Sequence, residues 1–435
     1  MSASARWSLV LSAMAHLVAT AALAATFTVD STLDQSDDDI VDGLCHTPAN
    51  TCTLRAAIMQ ANALADGSTI YLPAGTYTLT RPPVGANGIE SGDLNFETPE
   101  VNNPVIDLVG AGSESTIVDG NQLDSVFTIE SGRRANLSNL TIRNGLAQQG
   151  GGAVVFGPST FTRVVVRDNT AIDGAGVFAT SPDFRLVEGT IRDNQAAQQA
   201  GGLMVIDHAT LDRSTVSGNS AANGGGVFVH LSSDLRVIES TVSSNRATFD
   251  GGGVFVYSLA TVNVYSSTIV FNAADSDQND TGDAGGLENF NNLSTVNIRN
   301  CLIAGNYIAA PFDPDDCVGT INSYGRNLFE DVAGCSVVTG SGSWDLLNDL
   351  GTIGPLGKHG GPTQTHELFP GSNAIDGGDP VNGCLSPTGV LTVDQRGMGR
   401  VGGVRCDVGA YEEGVLFADG FEPGDLSAWP SASSG

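Results

Sequence analysis

Three groups of side chains in this sequence have types and spacings that could do chemistry. The first is a column of arginines, Arg143, Arg167 and Arg192, each ending a short apolar segment, with Asp168 and Asp193 directly after two of them. A guanidinium is a planar fork of donors that suits carboxylates. Three on neighbouring strands could therefore grip an anionic polysaccharide, or neutralise a uronate while its α-proton is withdrawn. Set side by side, such cations repel unless paired, and the competing reading is a ladder of surface ion pairs, each worth little. The second group is aromatic: Phe178, Phe228, His230, Phe255 and Tyr257 follow successive glycine turns at two fixed distances. They alternate with Val177, Val227, Val229 and Val254, so they are expected to face outward as an apolar strip. Exposed strips of that size mark binding sites for a glycan or a partner protein, unless the C-terminal part of the chain or long loops cover them. The third is Asp275, Asp277, Asn279 and Asp283, whose spacing opens like a calcium loop, although Asp280 and Gly286 stand where such a loop carries its glycine and its bidentate glutamate. The run from Asp34 to Asp42 is a weaker version of the same pattern.

These side chains need a scaffold, and the scaffold is written as a repeat. A short strand ending in asparagine returns every 24 to 27 residues, at Asn169, Asn194, Asn219, Asn245 and Asn272, each followed by a glycine-rich turn and a second short strand. Such a period signals a solenoid. Apolar residues within a repeat alternate with period two, so the units are strands, not helices. One such coil cannot bury its apolar face alone but can when stacked on its neighbours. The fold expected is all-β: a right-handed single-stranded parallel β-helix, the hand following from the preference of parallel crossovers.

Stacking turns the sequence into columns. One inward column reads Ile117, Ile142, Val166, Ile191, Val216, Val242, Ile269, Ile303; a second reads Leu137, Phe161, Leu186, Leu211, Val237, Val264, Ile298. The two keep a constant offset of five residues wherever both occur, which scattered apolar content would not maintain. A small-residue column (Gly189, Ser214, Ser240, Ser267, Cys301) follows the second one, and the asparagines are expected to hydrogen-bond along the stack.

Residues 1–24 have the basic start, apolar centre and Ala22-Leu-Ala24 site of a secretory signal, so the chain is expected to be exported, to the extracellular space or the outer cell surface. No later stretch is apolar and long enough to span a membrane. Seven cysteines fit an oxidising compartment. Cys45 with Cys52, Cys317 with Cys335, and Cys384 with Cys406 close short loops, which leaves Cys301 as a buried free thiol. The net charge of −29, with Lys358 the only lysine, excludes nucleic acid as a partner, because phosphate binding needs clustered cations. The expected divisions are an N-terminal cap with the first coils over 25–99, containing one helix from Thr53 to Ala63, the repeats over 100–310, a disulfide-containing C-terminal cap over 311–412, and a flexible tail over 413–435.

Two segments carry a resemblance. Cys52-Thr-Leu-Arg-Ala-Ala-Ile-Met-Gln-Ala-Asn62 resembles the CSLREA domain that opens many bacterial surface β-helix proteins, with Thr53 and Ala56 departing from that pattern. Gly360-Gly-Pro-Thr-Gln-Thr365, Pro370-Gly-Ser-Asn-Ala-Ile-Asp376, Asp394-Gln-Arg-Gly397 and Cys406-Asp-Val-Gly-Ala-Tyr-Glu412 resemble the choice-of-anchor Q domain. The central repeats are similar to those of polymorphic outer-membrane proteins. The resemblance implies a secreted or surface-held β-helix and no known catalytic residue. The asparagine-aspartate and histidine signatures of polygalacturonase-like β-helices are absent, as are metal-spaced histidines and a serine nucleophile elbow. The expected function is non-catalytic binding of a glycan, matrix component or partner protein, without a cofactor unless calcium binds. The alternatives are a polysaccharide lyase using the arginine column and a structural surface-coat protein. Oligomeric state is not legible.

Overall fold

The structure, a computed structural model, describes residues 24–414 apart from 65, 85–87, 98–103, 280, 309–312, 341–343, 350, 380–382, 387–388 and 401–404. The expected secretory signal, all but its last residue, and most of the expected tail lie outside the described residues. Short strands stack in parallel from coil to coil as a β-helix with three faces. A broad face holds Ser159–Thr162, Phe184–Val187, His208–Asp212, Asp234–Ile238 and Thr261–Tyr265 in register. An arginine face holds Thr141–Arg143, Val165–Arg167, Thr190–Arg192, Thr215–Ser217, Thr241–Ser243 and Thr268–Val270. A glycine face holds Ala153–Val155, Val177–Ala179, Leu203–Val205, Val227–Val229, Val254–Val256 and Leu287–Asn289.

The second inward column aligns coil by coil from Leu137 to Ile298, and its members are fully buried. The first aligns from Ile142 to Ile303, but its first expected member is corrected: Val118 pairs with Ile142 and is buried, whereas Ile117 pairs with Thr141 and faces outward. Coil stacking runs through the N-terminal region, where first coils were expected, and past residue 310. Ala25–Thr28 already pairs with Ser68–Leu72, and beyond residue 310 Cys317–Ser323 pairs with Cys335–Thr339 and Leu328–Phe329 with Leu346–Leu347. The helix Leu54–Ala63 closes the N-terminal end, capped by Thr53.

Two polar ladders run through this core. The amide nitrogen of each asparagine donates to the amide oxygen one coil on, from Asn169 through Asn194, Asn219, Asn245 and Asn272 to Asn306, at 2.9 Å each time. Asn306 donates in turn to Asp316 Oδ1 at 2.8 Å. A buried amide left without such a partner costs about 1–3 kcal/mol, so the ladder fixes asparagine at each turn. The serines form the second ladder: the backbone N–H groups of Gly189, Ser214 and Ser240 donate to the hydroxyls of Ser214, Ser240 and Ser267. Cys45–Cys52, Cys317–Cys335 and Cys384–Cys406 are disulfides. Cys301 is free and buried, and desolvation pushes its thiol up to about 12, so it is no nucleophile.

Candidate functional site

The C-terminal segment does not continue the coil. It folds back along the arginine face as a strap, and the outward side chains there change character to match. At the late coils Val270, Leu302, Ala304 and Leu328 form a second apolar cluster with Leu368, Ala374 and Val408 of the strap. In the middle coils the contacts are polar. Thr241 Oγ1 donates to Gln395 Oε1 at 2.6 Å, Thr215 Oγ1 donates to the Gln364 carbonyl at 2.7 Å, and Arg400 Nε donates to Glu239 Oε1 at 2.9 Å. His366 is buried, and desolvation lowers it to about 4, so it is neutral. Its Nδ1–H donates to the Gly354 carbonyl at 2.7 Å, and its Nε2 accepts from the Ser243 hydroxyl at 2.8 Å.

At the early coils the strap stands away from the face and leaves a cleft of about 640 Å³. Arg167, Arg192 and Lys358 line it, together with Thr141, Thr190, Ser217 and Gln364, and with Glu114 and Asp193 as its acids. Each cation has a carboxylate neighbour: Asp168 for Arg167, Asp193 for Arg192 and Glu114 for Lys358. These pairs are partly or largely exposed and are worth about 0–1 kcal/mol each, so an incoming carboxylate or sulfate competes with them on nearly equal terms. Arg143 aligns with Arg167 and Arg192 in one column as expected. It is not part of the cleft lining, and Asp119 Oδ2 holds its Nε at 2.8 Å.

The aromatic strip requires a correction. Its residues do stack in register outside the main core, but Phe178, Phe228 and Phe255 are only 5%, 2% and 4% exposed. The cause is local. The three rings belong to one apolar cluster with Val154, Ala200 and Met204, and Gly174, Gly224 and Gly251, at positive φ, pack on the Cα and Cβ of the phenylalanine four residues on; a Cβ on Gly251 would sit 2.6 Å from Phe255 Cβ. The rings also use their faces on each other. Phe228 and Phe255 stack with centroids 4.8 Å apart and planes 19° apart. Tyr257 keeps 36% of its surface in solvent and His230 stays partly open, so the exposed remnant is an edge, extended by Phe290. The strap, named as a possible cover for this strip, lies on the arginine face instead.

The next position of the same column is Glu288, which is 3% exposed, and its Oε2 has no hydrogen-bond partner. Desolvation pushes its carboxyl up to about 9, with repulsion from Asp250, Asp283 and Asp315 adding to the shift, so it is protonated at neutral pH. The expected calcium loop is also corrected. Asp275 Oδ1 accepts from the Asn279 backbone, Asp277 accepts from the Asn279 amide, and Asn279 Oδ1 accepts from the Thr281 backbone at 3.0 Å. These oxygens shape a turn. Among the described residues, the carboxylates of Asp275, Asp277 and Asp283 do not gather as a cation-sized group.

Sequence reasoning found the arginines but not Lys358, Gln364 or the strap that brings them together. One signal was present: the outward column runs Arg143, Arg167, Arg192, Ser217, Ser243, Val270, Ala304, a polarity gradient that tracks the strap's approach.

Comparison with known proteins adds the following. The profile of the right-handed β-helix region matches residues 124–343. No curated protein matches the chain. Among solved structures the chain is similar to one described as the crystal structure of pectate lyase Pel9A, with 14% identity, coverage of 90% of this chain and 98% of that one, and a TM-score of 0.42. The activity in that description is not carried over to this chain.

Proposed function

Since the chain belongs to the right-handed β-helix family, we propose that it is an exported, non-catalytic binding protein that holds an acidic polysaccharide in the cleft between the arginine face and the strap. The observation that carries this reading is the convergence of Arg167, Arg192 and Lys358, the only lysine, on one cleft of a chain whose net charge is −29. The chain as a whole is strongly acidic; in the cleft an anionic polymer meets guanidinium forks, an ammonium and the hydroxyls of Thr190 and Ser217. The likeness of the chain ends to CSLREA and choice-of-anchor Q segments supports a place outside the cell. No described helix is long and apolar enough to cross a membrane.

The test is a binding panel of uronate-containing and neutral polysaccharides against residues 25–435, read by calorimetry and by the absorbance of unsaturated sugar ends. Salt-sensitive binding of an acidic polymer, weakened at least tenfold by Lys358→Ala combined with Arg192→Ala, is the expected result. Equal binding of neutral polymers, or indifference to the double variant, would remove the cleft from the function. New unsaturated ends would make the protein a lyase instead.

A further inference from the structure

A second cavity lies between the last coils and the strap, next to Val408 of the apolar cluster that joins them. Its volume is about 470 Å³, and Arg326, Trp344, Asp345, Asp376 and Arg405 line it. Small-molecule pockets fall in the range of roughly 300–1,000 Å³. The polysaccharide cleft, at the early coils, shares none of these residues.

The cavity differs from the rest of the strap interface in that its charges are unspent. Two residues before each arginine-face strand comes a turn position at positive φ, and earlier members of that column find partners. Arg163 and Arg213 both hold Glu188, each at 2.8 Å, and Arg400 holds Glu239. Asn300 Nδ2 donates to Ser266 Oγ at 3.2 Å and to the Asp407 carbonyl at 2.8 Å. Arg326 is the next member, and among the described residues its guanidinium has no hydrogen-bond or ion-pair partner. Arg405 repeats this on the strap. Arg396 pairs with Asp394 at 2.6 Å, and Arg400 with Glu239 and Glu412, whereas Arg405 gives only its backbone N–H, to Asp376 Oδ1 at 3.1 Å. Both free arginines are half-buried. Asp345 has a spare acceptor: Oδ1 takes the Asn327 N–H at 2.9 Å and the Asn327 amide at 3.1 Å, and Oδ2 has no partner. Trp344 is a neighbour of Arg326 on the next coil, where its carbonyl accepts from the Arg326 N–H at 2.9 Å, and it is 71% exposed.

We propose that this cavity binds one uronic-acid residue, with Arg326 and Arg405 on its carboxylate, Asp345 and Asp376 on its hydroxyls, and Trp344 against a C–H face of the ring. A half-buried guanidinium without a counter-charge has lost water and gained nothing in return, and its fork suits a carboxylate. Two of them in one cavity are exceptional in a chain of net charge −29. A simple inorganic anion would use the arginines but be repelled by the two aspartates and leave the indole idle. An aromatic acid would use the arginines and the indole but bring no donors for the aspartates. An acidic sugar carries an anion, donors and an apolar face together. The site is separate from the cleft and holds whether or not a polymer binds there.

Residues 25–435 contain two tryptophans, Trp344 and Trp429, so Trp429→Phe leaves Trp344 as the only indole reporter. Sodium galacturonate and sodium glucuronate are titrated into that protein and followed by indole emission, with galactose and benzoate in parallel; calorimetry on the unmutated protein gives a second readout. A saturable response to a uronate is expected, half-complete on the order of 1 mM, with none to galactose or benzoate. Arg326→Gln and Arg405→Gln should each weaken it about 10–100-fold. Neither guanidinium has a partner to lose, so both variants should fold. Trp344→Leu, read by calorimetry, should weaken it about tenfold, and Arg192→Ala should leave the indole response unchanged. Absence of uronate binding in both readouts, equal binding of galactose or benzoate, or full affinity in a folded Arg326→Gln/Arg405→Gln double variant would each overturn the proposal. Loss of the indole response in Arg192→Ala would do so too, by moving the uronate to the cleft.

Discussion

The arginine column and the aromatic column run over the same coils, on short strands of the same kind, and with equally regular register. One lines an open cleft and the other is a nearly closed stack. In both, the alternation of the strand decides that a side chain points away from the core. What lies beside the column then decides whether solvent reaches it. Beside the phenylalanines lie their own column neighbours, with Met204 between Phe178 and Phe228 and with Phe255 stacked on Phe228, while the turn glycines pack on their Cα and Cβ atoms. Beside Arg167 and Arg192 the strap has lifted away. Outward and exposed are thus different properties, and only the first follows from period two.

The contrast can be broken most forcefully at the strap. Arg400→Leu leaves Glu239 buried and unpaired against the broad face, and should cost about 3–5 kcal/mol in denaturant unfolding. It should also abolish polysaccharide binding, because the cleft loses a wall. If binding survives, the strap is not that wall. Phe228→Ala should cost about 3 kcal/mol, the loss of a buried ring, while leaving binding within twofold. Lost binding with little lost stability would restore the strip as the site.

The two faces should also answer pH in opposite directions. Glu288 has a folded pKa raised to about 9 from 4.5, so its share of stability is full at low pH and is lost as pH rises through that window. His366 has a folded pKa lowered to about 4 from 6.5, so its share is present above 6.5 and is lost as pH falls. The Glu288 limb should be the larger of the two, because its shift is the larger. Glu288→Gln should flatten the alkaline limb of a stability–pH curve and His366→Gln the acid limb; the reverse pattern, or no change, would refute the assignment. The smallest stability effect is expected at Arg192→Ala, within about 0.5 kcal/mol because its ion pair is exposed. Any large change there would mean that the arginine is structural.

Much of this was readable from residues alone. The inward columns, the asparagine ladder and the three disulfides depend on spacing, which the sequence shows directly. Ile117 was misassigned because Ile117 and Val118 are adjacent apolar residues, 25 and 24 positions before Ile142, and both spacings fit the period. The strap was missed because its contacts join residues with no shared period, such as Thr241 with Gln395, 154 positions apart. The burial of Phe228 was missed because a column of outward apolar residues buries itself: Met204 and Phe255 on the neighbouring coils cover the ring, and period two shows only that all three leave the main core. The aspartate loop misled because an Asp-x-Asp-x-Asn run is equally suited to turns that bond to themselves.

The asparagine ladder also has a direction. Every amide gives its proton to the coil ahead and takes one from behind, so the row is polar from end to end, and Asp316, a carboxylate that only accepts, is its terminus. A repeat duplicated between Asn169 and Asn306 would find a giver behind it and a taker in front. One inserted after Asp316 would find a group with nothing to pass on. The interior of the row is therefore open to growth by copying, and a single aspartate ends the asparagine row while coils go on pairing beyond it.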